Sequence, residues 1–283
     1  MYKIFPLFFL VFLLAACSED DDTSTNANKN LVSAIAYQYS ANGTLTGRSE
    51  NYYQDNKLAQ SLFYIGEHLS SKRVFEYGID NQISQLKIYD MSGNVSGTSN
   101  YQYDSLGRLT EIVFTSNDHS HTTMYNHSEN NIITRTTTSS TGNVLEQWTY
   151  HINSSGKIYK ITEGDNIVQE VAYIGNNIAW LTYNSAEPTT INYTYDDENE
   201  VKGEYLHTAR NLMNNHPHNH IINMGFLSAA LGSDKYLIHQ VNSDGSNEST
   251  FEYNFDAEGY PIEKRDYFEG STHPRLIINI AYE

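Results

Sequence analysis

The chain has 283 residues, with 34 Asp and Glu against 17 Lys and Arg, a formal net charge of −17. That charge repels nucleic acid and anionic lipid, so neither is an expected partner. A single cysteine rules out an intrachain disulfide framework, and 23 Tyr, 5 Pro and abundant Asn and Gly favour strands joined by tight turns.

At the N-terminus Met1-Tyr2-Lys3 carries one positive charge, and Ile4 to Ala16 then runs without any. A bilayer core of ~30 Å needs about 20 helical residues, so this run is too short to span one and has the pattern of a signal peptide over residues 1–16. Leu14-Ala15-Ala16-Cys17 resembles the lipobox of bacterial lipoproteins. That resemblance implies cleavage between Ala16 and Cys17 and a lipid anchor on Cys17. Ser18-Glu19-Asp20-Asp21-Asp22 is similar to the acidic export signal that Bacteroidota place after the acylated cysteine, which implies the outer face of the outer membrane. Residues 17–30 lack any aliphatic run and are expected to act as a flexible tether reaching about 20 Å.

From residue 31 a local pattern recurs: an aromatic, a three-residue turn, Gly or Asn, any residue, then an aliphatic. It reads Tyr39…Gly43…Leu45, Tyr77…Asn81…Ile83, Tyr89…Gly93…Val95 and Tyr103…Gly107…Leu109. Further copies are Tyr195…Asn199…Val201 and Phe255…Gly259…Pro261, with looser ones at Asn56, Gly142, Gly156 and Asn176. Gly and Asn tolerate the positive φ that one turn position needs, and the aliphatic opens the returning strand. The spacing leaves one strand between turns, predicting an all-β antiparallel β-meander of roughly 16 to 19 short strands over residues 31–283. It would form a curved sheet, or a barrel flattened or plugged to limit its lumen. Strict alternation from Leu109 places Leu109, Glu111 and Val113 on one face and Thr110, Ile112 and Phe114 on the other. Both faces then carry polar residues, which fits a sheet bathed in water.

An insertion at about 207–234 interrupts the pattern. Its Ile221–Leu231 stretch has a helical apolar rhythm and could plug a barrel. Before it, His216, His218 and His220 alternate, so an extended backbone would turn all three to one face and offer a divalent metal three imidazoles. The competing reading is a solvated loop, and no other cofactor is called for. His119, His121 and His127 form a weaker copy that reads as strand-end decoration. Asp196 to Glu200 and Asn242 to Ser246 superficially look like calcium loops but lack that spacing, so they read as turns. Trp148 and Trp180 could stack on sugars, although a Trp on a half-buried strand is more often core. Neither Gly-x-Ser-x-Gly nor His-Glu-x-x-His occurs, which lowers the expectation of an enzyme without removing it.

Tyr101-Gln-Tyr103-Asp104-Ser-Leu-Gly107-Arg108-Leu109-Thr110 resembles one YD repeat of the Rhs and teneurin shells. More of the chain is similar to a family of Bacteroidota surface lipoproteins described as having a porin-like fold. The likeness rests on the lipobox, the tyrosine-rich meander, Ile221–Leu231 with Gly232, and the closing Phe251 to Pro261. It implies a curved or barrel-like sheet and no particular activity. The expected function is a surface binding or structural module for a glycan or protein. Alternatives are a surface hydrolase and a metal-handling lipoprotein built on the histidine cluster.

Overall fold

The computed structural model describes residues 29–79, 81–129, 131–200 and 235–283. The expected signal peptide, Cys17, nearly all of the tether, the histidines at 216, 218 and 220 and the 221–231 helix lie outside the described residues.

Eighteen strands occur among the described residues. The first nine are β1 (Leu31–Tyr39), β2 (Leu45–Gln54), β3 (Lys57–Ile65), β4 (His68–Tyr77), β5 (Ile83–Tyr89), β6 (Val95–Tyr103), β7 (Leu109–Ser116), β8 (Ser120–Glu129) and β9 (Ile132–Ser139). The rest are β10 (Val144–Ile152), β11 (Ile158–Glu163), β12 (Asn166–Ile174), β13 (Asn177–Tyr183), β14 (Thr189–Glu200), β15 (Lys235–Asn242), β16 (Ser249–Phe255), β17 (Pro261–Phe268) and β18 (Leu276–Tyr282).

Each strand pairs antiparallel with its neighbours in sequence, and β18 pairs antiparallel with β1, so the meander closes into a barrel. Closure leaves no sheet edge open. The start of β1 and the end of β18 lie at one end, here called proximal, where Asn30 and Glu283 exchange two backbone hydrogen bonds of 2.9 Å. Lys29 bonds Asp256 at 2.8 Å and also reaches Glu258, tying the incoming chain to the β16–β17 turn. The chain leaves β14 and re-enters β15 at this same end.

The turns carry the predicted geometry. Gly107 has φ +75° and Asn81 +59°. Asp104 Oδ1 accepts the backbone N–H groups of Leu106 and Arg108, both at 2.9 Å, which fixes the loop before Gly107. One copy behaves differently. At Tyr195…Asn199 the strand does not end. Residues 196–199 loop out of β14, Asp196 accepting from the Glu198 backbone, and pairing with β15 resumes at Glu200.

Strict alternation fails beside the turns, and the reason is a recurrent β-bulge. Tyr103 pairs with Leu109 and Gln102 with Glu111, so Thr110 is an extra residue. Its hydroxyl donates to Gln102 O at 3.2 Å, and Ser84 and Ser96 do the same to Glu76 O and Ile88 O. The extra residue shifts the phase, so Leu109 joins Ile112 and Phe114 on the face of Tyr101 and Tyr103. The sequence-based division of β7 into two faces is corrected accordingly.

The bulge gives the barrel two unlike ends. At proximal turns the aliphatic after the turn faces inward and is buried, with Ile83 7%, Leu109 1%, Ile158 4% and Ile178 4% exposed. At distal turns the same repeat faces outward, leaving Leu45 37%, Val95 46%, Val144 60% and Ile167 40% exposed. The main core lines the inner wall from β7 to β13, with Tyr125, Tyr150, Ile161, Val171 and Leu181 nearly inaccessible. An empty pipe of this strand number would wet its inner wall. Along this arc the barrel is filled.

Candidate functional site

Charge enters the interior at a few points. On β9 Arg135 faces inward, bonds Glu146 on β10 at 3.1 Å and lies over the Trp148 ring at 5.1 Å. Trp148 is therefore core, as the more common expectation for a half-buried Trp holds. Burial pushes the hydroxyls of Tyr150 and Tyr173 up to about 12 and those of Tyr77, Tyr103, Tyr125 and Tyr195 higher, so all stay protonated at neutral pH.

A second cluster sits where β16, β17 and β18 meet. Lys264 and Asp266 are two apart on β17 and both face inward. Lys264 lies 4.5 Å from the centre of the Phe251 ring and 5.7 Å from that of Tyr253. Burial among these rings, opposed by Asp266, lowers its amine to about 8. Asp266 is 5% exposed and binds Arg275 Nε at 2.8 Å through Oδ2, while Oδ1 is buried with no hydrogen-bond partner among the described residues. Burial raises this carboxyl even though Arg275 pulls it down. The group can hold a charge pair in a dry wall, with the second carboxylate oxygen buried. Sequence reasoning missed it because Lys264 and Asp266 sit in ordinary alternation; only their place on an inward phase marks them.

The expected histidine decoration is partly structural. His121 stacks on Phe114 at 4.9 Å, and burial together with His119 lowers its pKa. His127 donates Nε2–H to Leu109 O at 2.8 Å, near the other end of β8. Among the described residues no three His, Cys, Asp or Glu side chains converge as metal ligands. Asp244 closes a turn by accepting from the Ser246 backbone at 2.8 Å.

The outer wall is polar. Lys87 bonds Glu76 at 2.5 Å, Gln85 bonds Asn100 at 2.7 Å, Gln102 bonds Glu111 at 2.9 Å and Asn254 bonds Glu263 at 2.7 Å. Trp180 stands on this wall, 37% exposed, opposite Ala172 and Asn192. Its outward position departs from the expectation of a core tryptophan.

No family model and no curated protein matches the chain. Among solved structures, the crystal structure of a porin-like protein from Bacteroides uniformis is similar, with a TM-score of 0.41 and 12% identity over 89% of this chain and 96% of that one.

Proposed function

We propose that this chain is a water-exposed barrel held at a bacterial outer surface by a lipid on Cys17, working as a binding module through its outer wall. The supporting observation is the sidedness of the barrel: aromatics and aliphatics fill the inner wall from β7 to β13 while charged and amide side chains pair along the outer one. A barrel spanning a bilayer needs the reverse, an apolar outer band about 25 Å tall. The chain also enters at the proximal end, clamped by Lys29, which would hold that end toward the membrane and the distal end outward.

Cys17→Ala tests the anchor and the sidedness together. The variant should lose palmitate labelling and move to the soluble fraction. Retention in carbonate-washed membranes without label would overturn the water-exposed wall, and retention with label would overturn the anchor position. Protease shaving of intact cells should cleave the wild-type chain; protection until lysis would place it on the periplasmic side.

A further inference from the structure

Several outward aromatic rings on this barrel are occupied by neighbours. Arg48 covers Tyr64 at 4.1 Å, Lys72 covers Tyr89 at 5.5 Å, and Tyr52 gives its hydroxyl to Glu50 at 2.9 Å. Trp180 is different: among the described residues no cation stands over its ring. Tyr159, the extra residue of the β11 bulge, is 41% exposed on the same wall, with the His151 ring tilted against one side at 6.2 Å and Lys160 at 6.0 Å from its ring centre. Between β11 and β13 runs β12, and the residue paired with Trp180 there is Ala172. Two rings thus rise on either side of a methyl group, separated by two strand spacings, roughly 10 Å.

The geometry points to this saddle as a binding site for a neutral oligosaccharide chain. A pyranose presents a face of C–H bonds, faintly positive, that packs on the negative face of an aromatic ring. Its hydroxyls project around the edge and need donors and acceptors there. Asn192 lies opposite Trp180 on one side, and the cross-strand pair Lys160 and Glu170 lies on the other. Rings two strands apart can each take a sugar of one chain lying across the strands.

Charge selects among glycans. Lys160 and Glu170 balance within the saddle, and the net charge of −17 on the whole molecule repels a polyanion. A protein partner fits less well, because a stable interface covers about 800 Å² on each side around a desolvated centre. Here the apolar part is two rings and one alanine, bordered by polar rows such as the Thr182–Thr190 hydroxyl pair at 2.7 Å. The open convex shape suits a chain laid across it rather than a small ligand that must be enclosed.

The inference deepens the reading of the barrel as a binding module, and affinity electrophoresis tests it independently of location. The full chain, solubilised in mild detergent, is run through gels containing a neutral β-glucan, xylan, α-mannan or α-glucan. At least one should retard it. Trp180→Ala should weaken that retardation by roughly tenfold or more in Kd, the loss of about 1.4 kcal/mol. Tyr159→Ala should weaken it less, and Tyr52→Ala, on another part of the wall, should not. Iodide quenching gives a second readout: Trp148 is inside, so the quenchable fluorescence reports Trp180 and should be protected by the retarding sugar. Absence of retardation in every neutral gel, or retardation untouched by Trp180→Ala, would overturn the site. Retardation only by an anionic polysaccharide would overturn its neutrality. None of these results alters the Cys17 fractionation, so failure here is separable from failure of the anchor.

Discussion

Tyr103 on β6 donates its hydroxyl to the carbonyl of Ile83 at the start of β5, at 2.8 Å. The relationship repeats around the proximal end: Tyr77 donates to Leu58 O at 2.9 Å, Tyr173 to Ile158 O at 2.8 Å, and His127 takes the same place toward Leu109 O. Each of these four rings thereby supplies a donor to the aliphatic residue at the opening of the strand before it. Tyr103→Phe removes the donor and keeps the ring. It should cost about 1 kcal/mol, the usual net value of such a bond. Urea unfolding checks this.

Gly107 combines two constraints. Its φ of +75° disfavours any β-branched residue, and an added Cβ would lie 2.9 Å from Gln82 Nε2, which donates to Gly107 O at 2.8 Å. Gly107→Val should therefore destabilise by about 2–4 kcal/mol, the strain and the displaced amide acting together. Gly93 has φ +80° and open space around it, so Gly93→Val carries the strain without the displaced amide and should cost less. Equal losses at the two sites would mean that the contact with Gln82 contributes nothing.

Arg275→Ala leaves Asp266 buried with its remaining oxygen uncompensated. Breaking a buried pair in this way should cost about 3 kcal/mol. Replacing the carboxylate as well, in Arg275→Ala with Asp266→Asn, should recover part of that loss. A double-mutant cycle on the denaturation midpoint separates the pair from the packing of Arg275 on Phe268, where the guanidinium lies 4.1 Å from the ring centre.

Alkaline pH should act in two opposite windows. The Lys264 amine is depressed to about 8, so between pH 8 and its ordinary value the unfolded chain binds the extra proton and stability rises with pH. The buried tyrosines have raised values, about 12 for Tyr150 and Tyr173. Above pH 10 the unfolded chain ionises them while the folded chain cannot, and stability falls. Each such tyrosine contributes a slope of up to ~1.4 kcal/mol per pH unit. Melting temperature measured from pH 7 to 11.5 should hold or rise slightly before dropping steeply. Lys264→Met should remove the rise and leave the drop.

The turns were legible because Gly and Asn punctuate the chain at nearly every position of positive φ, as Gly107 and Asn81 show. Strand number and the antiparallel meander follow from that punctuation. The facing of side chains was not legible. The extra residue at Thr110, like those at Ser84 and Ser96, reverses the phase of everything after it, and only the pairing of Tyr103 with Leu109 reveals the shift. For the same reason identical repeats could not be sorted into buried proximal and exposed distal copies. Closure was also hidden, since nothing local in Ala34 or Ile280 announces that the two pair. Trp148 and Trp180 look alike in sequence, yet Trp148 shares the inward phase of Tyr150 while Trp180 pairs outward with Ala172.

The pairing of β1 with β18 also sets an order on the chain's assembly. Apart from β14 and β15, which the long insertion separates, every other pair of neighbours can zip locally across a turn, but Ala34 must wait for Ile280 from the far end of the barrel's sequence. Until the last strand arrives, β1 and the newest strand each present an unpaired row of backbone groups, open to any other unfinished chain. Loss of the final seven residues of β18 would make that condition permanent. A truncated product should persist as an adhesive open sheet, whereas lengthening a distal turn leaves the seam free to close.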